Sequence, residues 1–222
     1  MFFHWLEKNP FFFAAGISIV ISFAGLLEIV PNFAEAARPV VDLKPRTVLQ
    51  LAGKNVYKKD NCISCHSQMI RPFKSETDRY GAYSLSGEYV YDRPFLWGSK
   101  RTGPDLHRVG NYRTTDWHEN HMWDPPAIVP GSIMPAYKHQ FTNLADIETA
   151  YAEAVTVKNA FNTPYGPEFK GTRAAWEAHK PKVLEEAKRI ADDMKNKDIK
   201  EAVARGEVPE VVALIAYLNS LK

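Results

Sequence analysis

Both cysteines of the chain lie in one short segment, Asn61-Cys62-Ile63-Ser64-Cys65-His66-Ser67. The spacing C-x-x-C-H places two thiols three residues apart, so that on one helical turn both reach the same flat partner. A histidine follows directly, where its imidazole can bind a metal. This is the attachment signature of a c-type haem. We therefore predict one covalently attached haem c, with Cys62 and Cys65 as its thioether residues and His66 as an axial ligand of the iron.

Two other chemistries use a C-x-x-C pair. A structural zinc site normally needs two further Cys or His ligands in a similar turn, and the chain has no third cysteine. A thioredoxin-type dithiol usually follows a strand in a βαβ pattern, whereas the residues before Cys62 have a helical pattern. The haem interpretation is favoured over both.

Length and charge narrow the class of protein. The 222 residues suffice for one domain with a real core. Lys plus Arg number 28 and Asp plus Glu number 26, so the net charge is only +2 and we expect no nucleic-acid partner. Fifteen prolines and 12% aromatic residues favour a loop-rich fold around something flat and apolar.

The segment from Phe11 to Val30 is apolar apart from Glu28 near its end. As a helix its 20 or so residues match a bilayer core of about 30 Å, so we predict one transmembrane helix. A cleaved secretory signal is the alternative, because residues 34–36 (Ala-Glu-Ala) resemble a cleavage site. The apolar run is longer than a typical signal core, and the residues before it are only weakly basic, which favours an anchor.

The orientation of the anchor is less clear from charge. Lys8 precedes the helix, while Arg38, Lys44 and Arg46 follow it, so the positive-inside rule places the large domain in the cytoplasm. Thioether attachment in c-type cytochromes takes place on the outer side of the inner membrane. We therefore expect a single-pass protein of the bacterial inner membrane, with a cytoplasmic N-terminus and a periplasmic haem domain, against the charge count.

Two segments near the ends of the large domain have the apolar spacing of helices. Leu49, Ala52 and Val56 have helical spacing, and a second apolar stripe begins after Pro209. Gly53 would allow another helix to cross closely, and the C-terminal helix is the expected partner.

The second axial ligand should be a Met or His distant from His66. Met69 is only three residues away and cannot easily reach the opposite haem face. Met122 and Met134 remain after the membrane-proximal and charged-helix methionines are set aside. Met134 lies in a loop bracketed by Pro130 and Pro135, which restricts the backbone, so we prefer it.

His118 and His121 have a spacing that puts them on one helical face. They could form a separate metal pair, or one of them could replace Met134 as axial ligand. Surface or interface histidines are the simpler interpretation, since no carboxylate motif accompanies them.

Residues 103–110 (GPDLHRVG) lie between the attachment motif and the methionine loop. The Pro104 carbonyl could accept the Nδ1 hydrogen bond of His66 and fix its tautomer. Arg101, Arg108 or Arg113 could pair with haem propionates.

Longer motifs resemble a known family. They are Glu28-Ile29-Val30-Pro31, CISCHSQMIRPF (62–73), EYVYDRPFLWGSKRTGPDLHRVG (88–110), Trp117-His118 and SIMPAY (132–137). Together they are similar to the membrane-anchored monohaem cytochrome c subunit (subunit II, FixO/CcoO type) of cbb(3)-type, C-family haem-copper cytochrome c oxidases. The chain departs from that pattern at Pro126 and Gly131, where relatives have Arg and Glu, which puts the salt bridges of the ligand loop in doubt.

The resemblance implies a mainly α fold, with one N-terminal transmembrane helix followed by a cytochrome c-like haem domain with loop and helical insertions. We place the anchor at 1–34, the domain at 35–222 and the helical insertion at about 144–206. His66 and Met134 would be the axial ligands. The implied partners are a polytopic catalytic haem-copper subunit, a dihaem cytochrome c subunit and the membrane.

With both axial positions filled, the expected role is an electron relay without an active site of its own. The electrons would pass from the dihaem subunit to the haem b of the catalytic subunit. Two alternatives stay open: a freestanding membrane-tethered cytochrome c carrier, and a haem peroxidase or sensor with an open sixth position.

Overall fold

The computed structural model describes residues 2–34 and 38–222. The chain falls into two compact units, which divide after Arg38. Within the described residues the regular structure is helical, with short 3-10 turns and no strand. The prediction of a mainly α fold with an N-terminal apolar helix is confirmed.

The N-terminal unit consists of two helices, α1 (Phe2–Lys8) and α2 (Pro10–Ala34). The segment Pro10–Val30 of α2 is long and apolar enough to cross a membrane. Its large apolar side chains are exposed along its length, as lipid contact requires. The suggested signal-cleavage motif and the expected boundary between anchor and domain extend into residues 35–37, which lie outside the described residues.

The C-terminal unit contains eight α-helices in its described residues. They are α3 (Val48–Lys59), α4 (Lys74–Tyr80), α5 (Thr115–Trp123), α6 (Pro125–Ile128), α7 (Ile147–Phe161), α8 (Arg173–Asp192), α9 (Lys197–Ala204) and α10 (Glu210–Asn219). Thr47 and Gln50 form a capping box that begins α3. Pro209 directly precedes α10. Proline lacks a backbone N–H, and a helix start is a position where no such donor is needed.

The core is built on the crossing of α3 and α10. A Cβ on Gly53 would overlap the backbone carbonyl of Ala213, so only glycine permits this approach. Tyr57 and Tyr217 pack beside the crossing with their ring centroids 5.6 Å apart. Every residue from Val211 to Leu218 is buried. The expected close crossing at Gly53 is confirmed.

The segment between Leu144 and Pro209 begins and ends at adjacent positions. These two residues form an isolated antiparallel bridge, flanked by a hydrogen bond from Ala145 N to Val208 O of 2.8 Å. Helices α7, α8 and α9 lie within it and bury an aromatic cluster that includes Tyr151 and Trp176. The segment therefore adds a packed layer against α3 and α10.

Candidate functional site

The C-x-x-C-H motif forms one tight turn directly after α3. Asn61 adopts a left-handed conformation with φ of 56°, which ends the helical path and starts a 3-10 turn over Cys62–Ser64. The backbone N–H groups of Cys65 and His66 donate to the Cys62 carbonyl at 3.1 and 2.9 Å. The two cysteines form no disulfide with each other, and burial raises the pKa of the Cys62 thiol to about 12.

A cavity of about 790 Å³ opens beside this turn. Its size and largely apolar walls are typical of a small-molecule or cofactor site. Cys62, Cys65, His66 and Met134 all line it. The apolar part of the wall comes from Leu106, Val109, Met122, Val129, Ile133, Leu214 and Leu218. Helices α5 and α10, the C-x-x-C-H turn and the methionine loop thus enclose one space.

His66 is held in one tautomer. Its Nδ1 lies 2.8 Å from the Pro104 carbonyl oxygen, which can only accept, so Nδ1–H donates. Burial lowers the pKa of the imidazole, which favours the neutral ring. Nε2 therefore keeps a free lone pair, as a metal ligand requires. The Gly103 N–H donates to the Cys65 carbonyl at 2.9 Å and brings the two segments together.

Gly103 leaves the space that the His66 ring occupies. A Cβ built on Gly103 would lie 2.7 Å from both ring nitrogens, closer than real Cβ contacts. The glycine is required here by side-chain packing, since its φ is not in the left-handed region.

Asp105 ties the same two segments together at depth. Its side chain is fully buried and accepts hydrogen bonds from Ser67 Oγ (2.6 Å), Met69 N (2.8 Å) and His107 N (2.8 Å). A carboxylate that accepts three protein donors is a strong local organiser. The residues after His66 are therefore fixed to those after Pro104. Sequence reasoning did not single out Asp105.

The methionine loop places Met134 in the cavity wall, half-buried. Gly131 has φ of 79° and turns the chain after α6. The N–H of Tyr137 donates to the Met122 carbonyl at 2.8 Å, which fastens the end of the loop to α5. Met122 also lines the cavity, whereas Met69 does not.

Arg101 and Arg108 are held away from the cavity. Arg101 bonds Glu76 at 2.7 Å and Ser67 Oγ at 2.6 Å. Arg108 donates two hydrogen bonds to the Glu88 carboxylate, at 2.5 and 2.9 Å. Neither side chain is among the described residues that line the cavity. The buried carboxylate of Glu76 and the partly buried carboxylate of Glu88 each hold one of these guanidinium groups.

The arginines at the cavity are Arg79 and Arg113. Both are exposed, and Arg113 lies 4.2 Å over the ring of Trp117. Arg113 was one of three sequence candidates. Arg79 carried no signal in the sequence, because its approach to the cavity depends on how α4 packs.

His118 and His121 project from α5 into the same cavity. Thr114 caps the helix by accepting from the Trp117 N–H at 3.4 Å. Burial lowers the pKa of both imidazoles to about 4, so both are neutral at pH 7. Within the described residues, neither nitrogen of His118 has a hydrogen-bond partner.

These features fit a flat, covalently held cofactor with polar edges. Two thiols lie on one turn, an imidazole presents a free nitrogen, and Gly103 leaves room for that imidazole ring. Buried imidazole nitrogens without a protein partner indicate a polar group that the protein itself does not provide.

No curated protein matches the chain. A protein-family model described as "Cytochrome C oxidase, mono-heme subunit/FixO" matches residues 3–222. Because this match covers nearly the whole chain, the protein belongs to the FixO family of mono-haem cytochrome c oxidase subunits.

Proposed function

We propose that the chain is the electron-transfer subunit of a terminal respiratory oxidase. Electrons would pass from a dihaem cytochrome c subunit, through one haem c on this chain, to the haem b of the polytopic catalytic subunit. That subunit would reduce oxygen to water and pump protons. The observation that carries the proposal is that Cys62, Cys65, His66 and Met134 line one cavity.

The four residues divide the work of holding the cofactor. Cys62 and Cys65 would form the thioethers, and His66 and Met134 would be the axial ligands. The bound haem would supply one-electron redox chemistry. The Pro104 carbonyl orients His66 through the Nδ1 hydrogen bond, and a thioether ligand such as Met134 raises the reduction potential, which suits a carrier upstream of an oxidase.

The proposed role as an electron carrier without catalysis follows from the two proposed axial ligands. A haem with both axial positions filled exchanges electrons without binding oxygen. The largely apolar walls of the cavity would limit the contact of the cofactor with water, which further favours a relay. We therefore assign oxygen chemistry to the catalytic subunit and none to this chain.

We also propose the placement of the two units. Residues 1–34 would anchor the protein in the bacterial inner membrane in a single pass, with a cytoplasmic N-terminus. Residues 35–222 would form the periplasmic monohaem domain, with residues 144–206 as a helical insertion. The apolar segment Pro10–Val30 and the need for thioether attachment outside the membrane support this arrangement.

The test of the axial assignment is an absorption spectrum of the purified oxidase complex. We expect Met134→Ala to lose the weak sulfur-to-iron band of this haem. Met69→Ala is the matched control, because Met69 lies outside the cavity lining, and it should retain the band. Retention of the band in Met134→Ala would refute Met134 as a ligand. Loss of the band in Met122→Leu alone would move the assignment to Met122.

A further inference from the structure

Two buried histidines on one wall of the cavity have ring nitrogens without a hydrogen-bond partner among the described residues. His118 is 1% exposed, lines the cavity and has no hydrogen-bond partner for Nδ1 or Nε2. His121 is 9% exposed, and its Nδ1 has no partner either. Native proteins rarely leave buried polar nitrogens unpaired, so a ligand group is expected at this wall.

The same wall carries a positive charge and no protein carboxylate to neutralise it. The ring of Trp117 stacks on His121, with 4.5 Å between their centroids, and the Arg113 guanidinium lies 4.2 Å from the centroid of the Trp117 ring. Arg113 makes no ion pair with the residues that the structure describes. Among the described residues that line the cavity, Asp60 is the acidic one, and its carboxylate accepts a hydrogen bond from Gln140 Nε2 at 2.6 Å.

We propose that His118, His121 and Arg113 form a carboxylate-binding site for a propionate of the haem. The histidines would donate neutral N–H hydrogen bonds, and Arg113 would supply the compensating charge. This inference rests on the proposed function, since it takes the cavity to be the haem site. The Arg113 guanidinium attracts a carboxylate and repels ferric iron. The two imidazoles would therefore bind the propionate edge of the cofactor, and Met134 would bind the iron.

The site has a consequence for the reduction potential. A propionate whose charge is compensated by donors stabilises the ferric state less than a free one does. Removal of a donor or of the guanidinium leaves more negative charge near the iron. The oxidised form then gains stability, and the midpoint potential falls.

The experiment is a redox titration of this haem in the whole oxidase complex. The variants are His118→Phe, His121→Phe and Arg113→Gln. The matched controls are His179→Phe, a partly buried histidine outside the cavity with an unpartnered Nδ1, and Arg93→Gln, an arginine that lies over aromatic rings without an ion pair. We expect a lower midpoint potential in the three site variants and an unchanged one in both controls. Covalent haem and the sulfur-to-iron band should remain in all five.

Other outcomes overturn the proposal. An unchanged potential in the site variants, with the haem attached and the sulfur band intact, would refute it and leave the proposed function standing. Loss of six-coordination in His118→Phe would make His118 an axial ligand and refute it too. If His118→Phe does not assemble, His118→Asn keeps an N–H donor and should preserve the potential, while Arg113→Gln should still lower it. Absence of covalent haem from the unaltered chain would refute the proposed function itself.

Discussion

Gly103→Ala tests whether the His66 ring is positioned by packing and by one hydrogen bond. The new Cβ would lie 2.7 Å from both ring nitrogens, so the ring has to move away from Pro104. Overpacking of a rigid site costs about 1–3 kcal/mol. Loss of the Nδ1 hydrogen bond to the Pro104 carbonyl adds about 0.5–1.5 kcal/mol, so we expect a total of roughly 2–4 kcal/mol.

The assay is the free energy of unfolding of the detergent-solubilised full chain, measured by urea titration. Gly166→Ala is the control, because the three atoms nearest to its Cβ all belong to the exposed carboxylate of Glu168, which can swing away. In the complex, Gly103→Ala should also raise the midpoint potential of the haem, since His66 becomes a weaker donor without the Pro104 bond. A free energy of unfolding within about 0.5 kcal/mol of the control would show that the added Cβ does not displace the His66 ring.

Two further predictions concern the buried carboxylates that organise the site. Asp105→Ala leaves three backbone or hydroxyl donors without an acceptor. We therefore expect the free energy of unfolding in urea to fall by roughly 3 kcal/mol relative to the unaltered chain. A change below about 1 kcal/mol would contradict this role. The hydrogen bond from Arg101 is the main cause that lowers the pKa of Glu76 from 4.5 to about 2. The stability that Glu76 contributes is complete above pH 4.5 and is lost as pH falls towards 2. The difference in unfolding free energy between the unaltered chain and Glu76→Gln should therefore shrink over this window. A difference that is independent of pH there would refute the ion pair.

Local signals predicted much of the fold. The apolar run before residue 31 predicted the long helix α2, and the spacing of Leu49, Ala52 and Val56 predicted α3. Gly53 predicted the close crossing with α10, because a missing Cβ is most useful where two backbones meet. These predictions depend on periodicity and sterics, which are properties of neighbouring residues.

The partners of charged and polar side chains were beyond the sequence. Arg101 and Arg108 were candidates for the cofactor, yet each pairs with a glutamate at least 20 residues away in the chain. Asp105 looked like any acid in a Pro-containing loop, although it accepts three hydrogen bonds. The wall made by His118 becomes visible only when α5 is packed against the cavity. Partner choice is a tertiary property, so single-sequence patterns leave it open.

The intact mass of the denatured chain from the purified oxidase shows whether one haem is covalently attached to Cys62 and Cys65. Thioethers survive denaturation, so we expect the mass of the polypeptide plus one haem. The double variant Cys62→Ala with Cys65→Ala should run at the mass of the bare polypeptide. An unaltered chain at the bare mass, with both thiols open to alkylation, would contradict the account.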